Sequence, residues 1–305
     1  MSAGSLYIAY DPVYVQPLPP GHRFPMAKYE LIAAQLLYEG LVQPQQLHAP
    51  APATAATICL AHEPAYFEAL TQLRIPDKAQ RQTGFPQSAS LVHRERVITQ
   101  GSLNCALHAL QHGVALNIAG GTHHAFADHG EGFCLLNDFA VAANYLLHQR
   151  LCQRILIIDL DVHQGNGTAK IFEAEPAVFT FSMHGRHNYP FRKEHSDLDV
   201  PLEDGLRDRD YLALLHTHLP ALLTGFRPDL AFYLSGVDIL ETDRFGKLKV
   251  SMQGCRERDR FVFEQLHQRR IPVAVAMGGG YSPQVRDIVQ AHCQTFREAA
   301  AVYGQ

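Results

Sequence analysis

The chain has no C-x-x-C pair, no apolar run approaching the roughly 18 residues of a membrane span, and no basic or acidic block. Without paired cysteine motifs, its six scattered cysteines do not make the disulfide framework of a small secreted domain. Reduced, mostly buried thiols of a cytoplasmic protein are expected instead. A helical membrane span is not expected, and residues 1–10 also lack the charged start and apolar stretch of a signal peptide. A net charge of -4 with interspersed signs leaves no face for nucleic acid and no polybasic membrane patch, so the expected partner is a small molecule or a peptide. Internal repeats, low-complexity segments and linkers are missing as well; the one loose stretch, 48–53, is short. With 47% apolar residues, positions 1–305 are expected to form one domain around a large core.

What is present is an alternation of short apolar runs with helix patterns, the signature of a parallel sheet covered on both faces and hence of an α/β fold. Strands are expected at 6–10, 57–61, 114–118, 155–160, 178–182, 230–235 and 273–277. Helices are expected around 28–40, 64–72, 90–111, 138–149, 168–172, 208–223, 253–269 and 283–303. A polar motif follows each of the last five strands, at 120–125, 161–163, 182–184, 235–238 and 278–281. Carboxyl ends of neighbouring parallel strands share one rim, so these motifs should converge on a single cleft.

The run Ile155-Leu156-Ile157-Ile158 reads as a buried strand, yet Asp159, Asp161 and His163 follow on alternate residues. If the extended conformation continues that far, the period of two puts all three on one side. Two carboxylates cannot enter a dry core without a cationic partner, because each uncompensated charge costs several kcal/mol. A divalent metal meets that need. His163, Asp161 and Asp238 together offer one neutral imidazole and two carboxylates, a set that leaves positions open on zinc for water and substrate. Asp238 alone would read as a cap after a strand; its coincidence with Asp161 and His163 favours the ligand.

His123 and His124 follow a diglycine and a threonine, which relieves backbone crowding where two rings turn toward a cleft. One of the imidazoles can take a proton from the attacking water and return it to a leaving amine. Such a base needs an orienting partner, and Asp159 and Asn166 are the available ones. Tyr281, after three glycines, can donate its hydroxyl hydrogen to an oxyanion, although a tyrosine there also suits packing.

Five ordered motifs then carry a resemblance: His123-His124-Ala125, Gly132-Phe133-Cys134-Leu135-Leu136-Asn137-Asp138, the stretch from Asp159 to Gly167, Ser235-Gly236-Val237-Asp238 and Gly279-Gly280-Tyr281. The chain resembles the histone deacetylase family of the arginase/deacetylase superfamily. Its Gln164-Gly165-Asn166 is similar to the class IV branch and bacterial relatives. The resemblance implies a three-layer α/β/α domain with a mainly parallel sheet of about eight strands. It implies a zinc-dependent amidohydrolase that removes acetyl or longer acyl groups from lysine side chains. Zinc would be held by Asp161, His163 and Asp238, with His124 as base and then acid, His123 stabilising charge and Tyr281 binding the oxyanion. Asp159 would orient His123 and, with Asp161, His163 and Ser182, surround a structural potassium. Gly132 and Phe133 would line the acyl-lysine channel, with Tyr189 on its other wall. Commoner relatives carry Asp where this chain has Asn166, so the partner of His124 would be neutral. No acidic residue between Leu73 and Gln87 matches the one that anchors a peptide backbone in class I enzymes.

Three other readings compete. An arginase-like site needs two metals about 3.5–4 Å apart, and Gln164, Asn166, Ile239 and Leu240 offer no carboxylate for the second. Hydrolysis of acetylpolyamines or other small acyl amines uses the same chemistry through a narrower entrance. A catalytically silent acyl-lysine binding protein would lack a ligand, a base or the tyrosine, and none is missing.

Overall fold

The structure, a computed structural model, describes residues 6–304. Residues 1–5 of the amino-terminal stretch considered above lie outside it. Eight strands join in one sheet: β1 (Tyr7–Ala9), β2 (Leu47–His48), β3 (Val114–Asn117), β4 (Ile155–Asp159), β5 (Val178–Gly185), β6 (Leu198–Leu202), β7 (Leu230–Leu234) and β8 (Val273–Ala276). Their order is β2-β1-β3-β8-β7-β4-β5-β6, and every neighbouring pair is parallel.

The helices are α1 (Lys28–Tyr38), α2 (Ala55–Ile58), α3 (Pro64–Thr71), α4 (Asp77–Thr83), α5 (Ala89–His112), α6 (Asp138–His148), α7 (Asn166–Phe172), α8 (Asp208–Phe226), α9 (Met252–Gln268) and α10 (Val285–Tyr303). Alternate residues of the central strands enter different cores. Leu156, Ile158, Tyr233 and Val275 meet Ile32, Leu219, Phe263 and Phe296 of α1, α8, α9 and α10. Ile155, Ile157, Phe232 and Ala274 meet Leu103 and Ala106 of α5 and Phe139 and Leu146 of α6. The result is a three-layer α/β/α arrangement. Each buried aliphatic side chain contributes about 1.5–3 kcal/mol, so a central strand stays apolar until it leaves the sheet.

Of the seven strands expected from apolar runs, one, at 57–61, begins as a helix. Thr54 accepts the N–H of Thr57 on its hydroxyl at 3.1 Å and starts the single turn of α2, so capping overrides the apolar run at 57–61. Strands β2 and β6 were missed. The first has two residues; the second carries Pro201 and lies at the sheet edge, where a missing N–H is tolerated. Helix α4 was missed because its sequence, DKAQRQT, has no apolar stripe.

Four adjacent strands, β3, β8, β7 and β4, point their carboxyl ends into one hollow. β3 and β4 are consecutive in sequence but separated by β8 and β7 in the sheet, so the chain reverses direction across that hollow, where open α/β sheets bind ligands. Among the described residues no helix is long and apolar enough to cross a membrane.

Candidate active site

The extended run stops at Asp159, and a bend carries the chain through Asp161 to His163. Carboxylates hold that bend. Asp159 Oδ1 accepts the N–H of Asp161 at 3.1 Å, Asp161 Oδ1 accepts that of His163 at 2.9 Å, and Asp238 Oδ1 accepts that of Val162 at 2.9 Å. His163 Nδ1 lies 3.0 Å from Asp161 Oδ1 and 3.1 Å from Asp238 Oδ2. Ligand atoms of the three buried residues all fall within 4.8 Å of one another. Close approach of the next loop needs glycine: a Cβ on Gly279 would collide with Asp238 Oδ2, and the Gly279 N–H donates to Asp161 Oδ2 at 2.8 Å.

This cluster attracts positive charge. Burial disfavours charge on His163, yet its bonds to Asp161 and Asp238 outweigh that and push its pKa up to about 10. Burial and the neighbouring Asp161 charge push Asp238 up to about 7. One imidazole nitrogen and two carboxylate oxygens in a buried triangle fit a divalent cation of the zinc type, which would relieve that repulsion.

The two-histidine loop after β3 is anchored by Asp138 at the start of α6. Its carboxylate accepts the N–H groups of Gly121 at 3.1 Å and Thr122 at 2.9 Å, together with the Thr122 hydroxyl at 2.7 Å. His123 Nδ1–H donates to Asp159 Oδ2 at 2.7 Å. Burial opposes its charge, but the Asp159 carboxylate overrides burial and raises the His123 pKa above the ordinary value. His124 Nδ1 lies 2.6 Å from Asn166 Oδ1, at the start of α7. Burial, then the positive neighbours His123 and His163, lower the His124 pKa well below the usual value. The two rings therefore titrate in opposite directions.

Tyr281 is positioned by its own N–H, which donates to Asp243 Oδ2 at 2.6 Å. Burial and the charges of Asp161 and Asp238 hold its phenol well above the ordinary range, so it remains a donor. A cleft of about 510 Å³ leads inward past Phe133, Gly132, Tyr189, Phe245 and Tyr281 to His124 and His163. Beneath it a smaller inner space of about 40 Å³ reaches Asp161, Asp238, Cys134 and Arg94. Ser182 stands beside Asp159 in the sheet register, with its hydroxyl 3.0 Å from His184 Nδ1.

Several contributors escaped sequence reasoning. Arg258 on α9 is fully buried and donates to the carbonyl oxygens of Gly236 at 2.5 Å and Leu160 at 3.3 Å, tying together the loops that carry Asp238 and Asp161. Its signal was a charge at core spacing, between Cys255, Val262 and Leu266. Lys28, also buried, donates to Gly278 O at 3.0 Å, and burial lowers its pKa to about 8. Glu131, beside the channel glycine, accepts from Asn166 Nδ2 at 2.5 Å. The mouth carries Arg23, Arg244 and Lys247, and Gln82 is what the stretch between Leu73 and Gln87 contributes to it.

A family model described as the histone deacetylase domain matches residues 22–296. An uncharacterized protein of Picosynechococcus sp. is 47% identical over 296 residues, which cover 97% of this chain and 99% of that protein. Histone deacetylase 2 of Arabidopsis thaliana is 29% identical over 269 residues, covering 85% of this chain and 70% of its own length. The crystal structure of an HDAC homolog complexed with SAHA shares the fold, with a TM-score of 0.84 and 24% identity over 97% of this chain and 84% of that one.

Proposed function

The chain belongs to the histone deacetylase family, and from that premise we propose that it is a zinc-dependent amidohydrolase removing short acyl groups, acetyl first, from lysine side chains of proteins or peptides. The observation that carries the proposal is the buried triangle of Asp161, His163 and Asp238 at the foot of a cleft that His124 and Tyr281 also face. We read residues 1–305 as one catalytic domain, since the family match spans 22–296 and the eight strands of the described residues join one sheet. Six free cysteines suit a cytoplasmic setting.

Zinc held by Asp161, His163 and Asp238 would supply Lewis acidity toward the amide carbonyl and the attacking water. His124 keeps its Nδ1–H on Asn166, which leaves Nε2 to take a proton from the water and hand it to the departing lysine nitrogen. His123, whose charged form the Asp159 carboxylate favours, stabilises negative charge in the same hollow. Tyr281 donates to the carbonyl oxygen as charge develops on it. Gly132, Phe133 and Tyr189 enclose the lysine stem and exclude water. A structural potassium beside Asp159 and Ser182 belongs to the same reading.

Two features narrow the substrate. The inner space of about 40 Å³ holds a few water-sized groups, each needing about 10–15 Å³, which suits acetyl rather than a long alkyl chain. The mouth presents Arg23, Arg244 and Lys247, and among the described residues no carboxylate lines it. Asp204 lies 3.8 Å from Lys247 and offsets part of that charge. A polycationic acetylpolyamine meets like charge there, whereas an acetyl-lysine flanked by Asp or Glu meets complementary charge. The test is a kcat/KM comparison of acidic-flanked acetyl-lysine peptides, basic-flanked peptides and acetylpolyamines. Preference in that order supports the proposal, and a preference for acetylpolyamines contradicts it.

A further inference from the structure

The partner of His124 is an amide, and an amide has no chemical direction of its own. Its two ends have nearly the same shape, but one accepts hydrogen bonds and the other donates them. With Oδ1 toward His124, the ring carries its proton on Nδ1 and keeps a bare Nε2. With the amide turned over, Nδ1 accepts, the proton sits on Nε2, and the ring has no lone pair there for an incoming proton. An Asp would not face this choice, because a carboxylate only accepts.

In this chain the choice is made from behind. Glu131 Oε1 lies 2.5 Å from Asn166 Nδ2, and Asn166 Oδ1 lies 2.6 Å from His124 Nδ1. Since the Glu131 carboxylate cannot donate, the amide N–H must face it and Oδ1 must face the ring. The carboxylate is held in place by its own backbone, whose carbonyl accepts the Cys134 N–H at 2.9 Å, and by the next residue, whose N–H donates to Gln82 O at 3.0 Å. Among the described residues no Lys, Arg or His pairs with it. A half-buried carboxylate spent on a neutral amide, with no cation, is a costly way to fill space.

We propose that Glu131 is a positioning residue that sets the orientation of the Asn166 amide and, through it, the tautomer of His124, keeping Nε2 free. The consequence for turnover rests on the reading of His124 as the base; the consequence for the tautomer does not. Glu131→Gln is the discriminating variant. Glutamine keeps the size and a hydrogen bond, but it can donate as well as accept, so it loses the selection. Asn166→Asp combined with Glu131→Gln restores it, because the new Asp only accepts and the Gln donates to it.

The experiment is a long-range ¹H–¹⁵N correlation on the full chain labelled at histidine nitrogens, together with steady-state kinetics on an acetyl-lysine peptide. Wild type should show His124 as a single Nδ1–H tautomer. Glu131→Gln should show both tautomers and lose about 10–100-fold in kcat, with KM changing far less. The double variant should return to Nδ1–H alone and recover most of kcat. A single Nδ1–H tautomer with wild-type kcat in Glu131→Gln overturns the proposal. A tautomer change with unchanged kcat upholds the role of Glu131 and overturns His124 as the base.

Discussion

A Cβ on Gly132 would stand 2.6 Å from Cδ2 of His124, so the glycine that opens the channel wall is also the surface on which the ring rests. Gly132 sits at φ +56°, a conformation that costs any other residue as well. Gly132→Ala should therefore push the imidazole off its line to Asn166. A displacement of about 1 Å at a reacting group costs on the order of 10²-fold in rate, so kcat should fall by that factor while bound metal stays at the wild-type level. Turnover at the wild-type rate would mean that the ring is free to move without consequence.

Tyr281→Phe removes one hydroxyl and leaves the ring packing against Phe133 and Phe245. Loss of a single oxyanion donor typically costs about 10²–10³ in kcat. KM and metal content should change little. A variant with unchanged kcat would reduce Tyr281 to a packing residue.

Arg258→Met tests how the metal loops are held. It leaves Asp259 buried with the Tyr233 and Thr295 hydroxyls but without its cation, and it frees the carbonyls of Leu160 and Gly236. Removing one partner of such a pair costs about 3–5 kcal/mol, which urea unfolding will read. Weaker metal binding should accompany it. A variant within about 0.5 kcal/mol of wild type, the scale of an ordinary surface substitution, would show that the guanidinium is not what anchors these loops.

Much of this was legible in the sequence, for identifiable reasons. Strands buried on both faces, such as β4 and β7, announce themselves by composition, and the polar motif after each one marks the rim. Asp161, His163 and Asp238 stand at strand ends and were readable as a group. Glu131 and Arg258 were not. Glu131 acts through a side chain 35 residues away, and that contact exists only once α7 has packed against the channel loop. Arg258 belongs to a helix rich in charge, where one buried guanidinium is hidden among exposed ones. Edge strand β6 and helix α4 lack the periodicity that a one-sided core imposes.

The low pKa of His124 has a sign that kinetics can read. A base must be neutral to work, so activity is present above its pKa and lost as pH falls through it. Because burial, with the neighbouring His123, holds His124 well below the usual histidine range, the acidic limb of the kcat/KM profile should lie below about 6.5, the ordinary value. Replacing Asn166 by Asp in the Glu131→Gln background places a carboxylate against the ring, favours its charged form and should move that limb upward. A limb that stays put would mean that another group controls the profile.

The most direct measurement compares wild type with Asp238→Ala, reading bound metal and acetyl-lysine peptide hydrolysis in the same samples. Asp238 is fully buried, and its Oδ2 lies 3.1 Å from His163 Nδ1, so its loss removes one corner of the triangle. Wild type should carry one zinc per chain and hydrolyse the peptide, and the variant should have lost both while remaining folded by circular dichroism. A folded Asp238→Ala that keeps its zinc and its turnover, or a zinc-loaded wild type that leaves acetyl-lysine untouched, would contradict the assignment of this triangle as the metal centre of a deacylase.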